Sequence, residues 1–123
     1  AARGIFSSLR KNRLVALLSD QDARRHGIFV DFFGTPASTY PGAAQFSYRS
    51  GAPVVFCYIV RGSDESHEAV FLPPVHPDTA RSREEEVVRL TAAHVKALED
   101  AVKEHPDHYF WAHRRWKSSP KQG

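Results

Sequence analysis

The chain has 123 residues, 41% hydrophobic and 25% charged, with a formal net charge of +3, a composition that excludes intrinsic disorder as the default and favours one folded domain. A single cysteine excludes a disulfide framework and any multi-cysteine zinc site within the chain. The longest apolar stretch, residues 52–60, is far too short for a membrane helix.

The first predicted elements are a helix and a strand. Residues 5–13 have the pattern of the end of a helix, with basic side chains near its C-terminus. Residues 14–18 form a continuous apolar run that stops at the polar turn Ser19-Asp20-Gln21-Asp22. Such a run predicts a buried strand of a parallel sheet, with functional groups at its C-terminal end.

The chain contains no methionine and no secretion-signal pattern, so we expect it to begin inside a longer protein.

The middle of the chain alternates apolar segments with turns and a short helix. Residues 28–33 are apolar except for Asp31, and residues 34–42 are rich in turn formers. Residues 43–50 predict a short helix. Residues 54–60 predict a second, fully apolar strand that stops at Arg61, and residues 68–72 predict a third.

The strongest helix signal covers residues 83–105. Ser82 and Glu85 fit a capping box at its start. Glu85–Arg89 and Glu99–Lys103 have the i,i+4 spacing of ion pairs on a solvated face. The predicted buried stripe consists of Val88, Thr91, Val95, Leu98 and Val102. Pro106 ends this helix, and Asp107 caps a short one through residue 113.

Helices interleaved with strands predict an α/β fold, with helices flanking a mostly parallel sheet.

Several side chains invite a chemical interpretation. His105, His108 and His113 are close in the sequence, but no second cluster supplies a further metal ligand at a suitable spacing. We therefore expect no metal site. Cys57 lies inside the second apolar strand and is expected to be a small core residue. No nucleotide-binding glycine motif or serine nucleophile motif is present. The polar turn at residues 19–22 follows the first predicted strand, and Arg61 follows the second. We therefore expect these polar groups at the same edge of the predicted sheet.

The C-terminal segment combines aromatic and cationic side chains. Residues 105–123 contain 4 basic and 1 acidic residue, while residues 1–60 contain 7 and 3. Residues 109–117 could bind an anionic lipid surface through Arg114, Arg115 and Lys117, with the aromatic rings at the interface. The same composition could stack on the bases of a single-stranded nucleic acid or form an ordinary closing helix.

Four segments in order carry a family resemblance. They are residues 17–22 (Leu-Leu-Ser-Asp-Gln-Asp), 30–39 (with Phe-Phe-Gly), 51–61 (starting Gly-Ala-Pro-Val-Val) and 106–117 (with Tyr-x-Trp-x-His-Arg-Arg-Trp-Lys). Together they resemble the C-terminal part of the bacterial lipid A biosynthesis acyltransferases, within the lysophospholipid acyltransferase superfamily. Phe56 stands where that family tends to carry proline.

The resemblance implies an enzyme of the bacterial inner membrane, acting at its cytoplasmic face. It would transfer a fatty acyl chain from acyl carrier protein to a hydroxyl of a phosphorylated glycolipid, with no metal or organic cofactor. A His-x4-Asp/Glu pair would supply the general base, with the carboxylate orienting the imidazole. We expect that pair before residue 1, so that residues 1–123 are the C-terminal part of one acyltransferase domain and are inactive alone. His26–Asp31 and His94–Glu99 match similar spacings but are not assigned to catalysis.

The resemblance also implies roles for individual residues. Asp20 and Gln21 would shape the floor of the cleft, and Phe32, Phe33 and Gly34 its wall near the acyl chain. Arg61 would face the phosphorylated acceptor or the phosphopantetheine arm. Arg114, Arg115 and Lys117 would lie near anionic lipid or the acidic carrier protein.

Two other functions remain open at this point. One is a related glycolipid acyltransferase with another acceptor, such as a phosphatidylinositol mannoside. The other is a non-enzymatic basic module that binds nucleic acid through its aromatic and cationic tail, which predicts salt-sensitive binding lost on substitution of Arg114 and Arg115. We favour the lipid A acyltransferase, with no nucleic acid among its partners.

Overall fold

The computed structural model describes residues 2–18, 22–108 and 115, and these form a mixed α/β arrangement. Short 3-10 turns lie at Arg24–His26 and Pro106–His108. The main elements, in chain order, are α1 (Ala2–Arg10), β1 (Ile28–Phe32), β2 (Thr35–Thr39), α2 (Gly42–Ser50), β3 (Cys57–Arg61), β4 (His67–Phe71) and α3 (Arg83–Glu104).

The strands form two antiparallel hairpins, β1–β2 and β3–β4. The predicted α/β class agrees with this mixture of helices and strands, but the predicted layered, mostly parallel sheet is not confirmed. An isolated antiparallel bridge between Val54 and Val75 leads into the second hairpin. Residues 35–39, predicted as part of a turn-rich loop, are strand β2 because they pair with β1 along its whole length, from Ile28↔Thr39 to Phe32↔Thr35.

The predicted strand over residues 14–18 is wrong. Leu14 and Leu18 are 85% and 95% exposed, and the segment pairs with no strand among the described residues. A short apolar run does not by itself distinguish a strand from another structure, because a strand also needs a neighbour to accept and donate its backbone hydrogen bonds. The predicted burial of Cys57 is wrong too, since alternate residues of β3 are exposed and Cys57 is one of them.

The core forms where α3 packs on the first hairpin and on α2. Val95 contacts a cluster from β1 and β2 that comprises Val30, Phe32 and Ala37. Between one and about two turns earlier in the helix, Leu90 and Val87 pack against Ala44 of α2. Gly27, just before β1, lies so close to Ser38 and Thr39 that a Cβ there would be 2.8 Å from the backbone nitrogen of Thr39.

Helix α3 begins and ends close to its predicted bounds. Ser82 is the N-cap, and its hydroxyl accepts a hydrogen bond from the Glu85 backbone N–H at 3.3 Å. Three predicted stripe residues, Thr91, Val95 and Val102, are buried, but Val88 is half exposed. The buried face is displaced toward Val87 and Leu90 because α3 covers two elements rather than a single sheet face.

Candidate functional site

The Phe-Phe-Gly segment forms the turn of the first hairpin. Phe33 and Gly34 are its two central residues, with φ angles of 53° and 81°, and two successive positive φ values are typical of a type I′ turn. The ring of Phe32 is buried in the core and meets the ring of Phe33 edge-on, with centroids 4.7 Å apart. The Phe33 ring is half-buried, so it lies between the core and the surface.

A carboxylate from α3 reaches this turn. Glu99 accepts a hydrogen bond from the backbone N–H of Phe33 at 2.6 Å. Asp31 accepts the next N–H, that of Gly34, at 3.2 Å. Sixty-six positions separate Glu99 from Phe33 in the chain, so this contact joins the hairpin turn to the C-terminal half of the helix.

Two lysines flank the Glu99 carboxylate. Lys96 lies 3.4 Å and Lys103 3.5 Å from its Oε2 atom, and the Lys103 ammonium lies 5.8 Å from the centroid of the Phe33 ring. The hydrogen bond from Phe33, aided by the two lysines, holds the pKa of Glu99 below its ordinary value even though the side chain is largely buried. The group is therefore an ionised acceptor near neutral pH.

Arg115 lies against the far end of the same hairpin. Its side chain is 1% exposed and donates to the Ser38 carbonyl at 2.6 Å and to the Thr39 hydroxyl at 2.8 Å. The guanidinium also lies 5.6 Å from the centroid of the Phe32 ring. These contacts anchor the end of β2 to residue 115.

His94 lies on α3 near this arginine. Burial, and to a lesser degree the positive charge of Arg115, lower the pKa of His94, so its imidazole is neutral near pH 7. The side chain lines an apolar cavity of about 180 Å³ between α3 and the segments that flank the second hairpin. The other residues lining this cavity are Val54, Phe56, Leu72, Pro73, Val75, Leu90, Ala93 and Ala97. His94 and Glu99 thus have different surroundings, as their spacing on a helix predicts.

The predicted site residues fall into three groups. Phe33 and Gly34 lie together in the turn held by Glu99, and Arg115 lies at the base of the same hairpin. Arg61 ends β3 on the second hairpin, is exposed, and lines an open depression with His67 and Asp107. Asp20, Gln21 and Arg114 lie outside the described residues, as do Tyr109, Trp111, Trp116 and Lys117.

Glu99 is the residue that sequence reasoning placed wrongly. Its spacing to Lys103 predicted an ion pair on a solvated face, and the pair is present, but the carboxylate is buried. A signal was available, because Glu99 is four residues after Val95 and three before Val102, which puts it on the buried face. An acidic residue on such a face needs donors, and the exposed N–H groups of a tight turn provide them.

Two further observations concern the described residues as a whole. Over residues 2–18, 22–108 and 115, no three His, Cys, Asp or Glu side chains are grouped as a metal ion would require. Within the same part of the chain, no helix has both the length and the hydrophobicity of a membrane-spanning segment.

Residues 1–118 match the family described as bacterial lipid A biosynthesis acyltransferase, and the chain belongs to that family. The resemblance seen in the sequence is thereby confirmed. The lipid A biosynthesis palmitoleoyltransferase of Escherichia coli (strain K12) is 30% identical over 120 residues, which are 96% of this chain and 38% of the relative. The lipid A biosynthesis lauroyltransferase of the same strain is 29% identical over 123 residues, or 97% of this chain and 39% of the relative.

A shorter match points to a related enzyme. The phosphatidylinositol mannoside acyltransferase of Mycobacterium tuberculosis (strain CDC 1551 / Oshkosh) is 40% identical over 47 residues, which are 38% of this chain and 15% of the relative. The chain therefore spans well under half the length of the curated relatives that it matches.

Proposed function

We propose that the protein carrying this chain is an acyltransferase that moves a fatty acyl chain from acyl carrier protein to a hydroxyl of a lipid A precursor. The observation that carries the proposal is the family match over residues 1–118. The names of both Escherichia coli relatives, a palmitoleoyltransferase and a lauroyltransferase of lipid A biosynthesis, support it.

In this reaction the acceptor hydroxyl attacks the thioester carbonyl of the donor. Its proton passes to a histidine base, the new ester forms, and the thiol of the carrier leaves. The base and its carboxylate partner belong to a His-x4-Asp/Glu pair before residue 1, so residues 1–123 are the C-terminal part of one acyltransferase domain. The chain matches 38% and 39% of the lengths of these relatives, which leaves room for such a pair in a longer protein.

The chain would contribute binding surfaces rather than the base. Phe33 and Gly34 form the wall along the acyl chain, and Arg61 binds a phosphate of the acceptor or of the carrier's prosthetic arm. The exposure of Arg61 at the end of β3 supports that role. The inward contacts of Arg115 with β2 support a positioning role for it. Asp20 and Gln21 are proposed for the cleft floor, and Arg114 for contact with an anionic partner.

The same proposal sets the cellular context. A glycolipid acceptor and an acyl donor carried by a soluble protein meet at a membrane surface, so the enzyme works at the cytoplasmic face of the bacterial inner membrane. The basic excess of residues 1–60 suits an anionic surface or the acidic carrier protein.

A second acceptor is supported by one comparison. The 40% identity over 47 residues to a phosphatidylinositol mannoside acyltransferase favours a mannosylated phosphoinositide as the alternative. Both acceptors present a phosphate beside a sugar hydroxyl, so the same arginine could bind either one.

The test is acyl transfer by the longer protein from an acyl carrier protein thioester to each acceptor. Arg61→Ala should lower kcat/KM by roughly 10- to 100-fold, because a charged contact to phosphate is lost. Arg83→Ala removes an exposed arginine at the start of α3 and should retain wild-type transfer. Wild-type kinetics in Arg61→Ala would contradict the role of Arg61, and no transfer to either acceptor would contradict the function.

A further inference from the structure

The turn at Phe33 has a backbone conformation that bulky residues rarely adopt. Its φ of 53° lies in the left-handed region, where a Cβ crowds the following carbonyl oxygen. Type I′ turns favour asparagine or glycine at this position. A phenylalanine there persists only when its surroundings hold it, and such residues are concentrated at functional sites.

Glu99 provides that hold. Its carboxylate accepts the Phe33 N–H at 2.6 Å, while Lys96 and Lys103 lie 3.4 and 3.5 Å from the other carboxylate oxygen. The Phe33 N–H, aided by the two lysines, keeps the carboxylate ionised, and an ionised acceptor forms a stronger hydrogen bond than a neutral one. Lys103 also lies 5.8 Å from the centroid of the Phe33 ring, so one cation contacts both the carboxylate and the aromatic group.

The position of Glu99 is itself fixed by the core. Val95 and Val102, on the same face of α3, are buried, and Val95 packs in the cluster that contains Phe32. The ring of Phe32 in turn packs edge-on against that of Phe33. The carboxylate is therefore presented from a rigid helix face to a turn that packs on the same cluster.

We propose that Glu99 is a positioning residue that holds the Phe33–Gly34 turn, and thereby the half-buried Phe33 ring, in the place where it selects among acyl chains. The inference rests on the proposed function, in which Phe33 lines the path of the acyl chain. Releasing the turn would let the ring move, so chains of different length would be accepted more equally.

The first measurement is hydrogen exchange at the Phe33 amide. Glu99→Met keeps the length of the side chain without its acceptor and should accelerate exchange at Phe33 by roughly tenfold or more. Glu99→Gln keeps a neutral acceptor and should restore most of the protection. Asp100→Asn is the matched control, because Asp100 is exposed and bonds to the same Lys96 at 2.8 Å. The amide of Val95 reports global unfolding in each variant.

The second measurement is donor selection by the longer protein. Two acyl carrier protein thioesters that differ by about four methylene groups are compared by their kcat/KM values. In Glu99→Met the ratio of these values should move toward one by at least about fivefold, whereas Glu99→Gln and Asp100→Asn should keep the wild-type ratio. A merely structural role would reduce the active fraction, which lowers both values equally and leaves the ratio unchanged.

Each outcome decides a different point. If the Phe33 amide of Glu99→Met exchanged at the wild-type rate, the proposal that Glu99 holds the turn would be overturned. If exchange were faster but the ratio of the two kcat/KM values were unchanged, the role of Glu99 in the selection of acyl chains would be overturned. If Glu99→Met does not fold, Glu99→Asp decides both points, because it keeps the charge but is one methylene too short to reach. A wild-type protein without transfer from either thioester would overturn the proposed function and the selection role together, while the exchange data would still establish whether Glu99 holds the turn.

Discussion

At the scale of single residues, a second buried carboxylate organises the start of α3. Glu86 is fully buried and accepts the Asp78 backbone N–H at 2.5 Å. Arg89 donates to it from Nε at 2.6 Å and from Nη2 at 2.5 Å, and also to the His76 carbonyl at 3.1 Å. Arg89 therefore pairs with Glu86 and not, as predicted, with Glu85. Glu86 faces the loop that contains His76 and Asp78, and Arg89 contacts the same loop.

The Glu86 contacts predict a dependence of stability on pH. The hydrogen bonds from Arg89, chiefly, lower the pKa of Glu86 to about 2. Because this folded-state pKa lies below the ordinary value of 4.5, the stabilisation is complete above that value and is lost as pH falls toward about 2. Glu86→Gln should reduce the free energy of unfolding by about 1–3 kcal/mol near pH 7, and by roughly half that or less near pH 3.

Urea denaturation at the two pH values measures this difference. Glu84→Gln is the control, because it removes the same charge from the first turn of α3 at an exposed position. If Glu86→Gln lowered the free energy of unfolding by the same amount at both pH values, the lowered pKa of Glu86 would be contradicted.

At the scale of elements, α3 depends on its cap. Ser82 has an extended backbone and accepts the Glu85 N–H, which satisfies one of the unpaired donors of the first turn. Ser82→Ala should lower the free energy of unfolding by about 1 kcal/mol, as measured by the urea midpoint. Ser63→Ala, in the exposed turn between β3 and β4, should change it by less than about 0.5 kcal/mol. Equal midpoints for the two variants would show that the cap contributes little.

The helices were predictable from local signals, whereas the pairing of the strands was not. Helix α3 follows from its periodicity and its serine cap, and the short helix predicted over residues 43–50 is α2, which ends at Gly51 with a φ of 81°. The runs at residues 14–18 and 54–60 are both fully apolar, yet of the two only the second contributes a strand, β3, because β4 follows it closely enough to pair. A strand's partner and direction are not encoded in its own residues, so the antiparallel pairing could not be derived from them.

The candidate site was predictable only in part: its motif was visible in the sequence, but the contacts that hold the motif in place were not. The Phe-Phe-Gly turn was found through the ordered motifs of the family, and the structure places its two central residues at positive φ. The place of Glu99 on the buried face of α3 could have been found, but its contact with Phe33 could not, because it bridges 66 positions. Arg115 looked like a surface cation in a basic tail, and its burial depends on carbonyl and hydroxyl acceptors of β2 that become neighbours only in the folded chain.

At the scale of the whole molecule, burial is uneven between the two hairpins. The first packs under α3, whereas the second keeps one face outward, with Ile59 63% and Phe71 64% exposed. Cys57 lies opposite Phe71 in the register and shares that outward face. An apolar face of this kind is typical of a surface that contacts another molecule or another part of a larger one.

The thiol of Cys57 reports directly on whether this face is open. In the 123-residue chain, a disulfide reagent should modify Cys57 in native buffer at a rate within about threefold of that in urea, because no unfolding step is needed. In a Cys57→Ser background, Val30→Cys places the thiol in the core of the first hairpin and should react at least about 100-fold more slowly in native buffer than in urea. If Cys57 were protected as strongly as the cysteine at position 30, the outward face of β3 would be covered in solution. Protection that disappeared on dilution would then identify a second copy of the chain as the cover, since only an intermolecular contact weakens as the concentration falls.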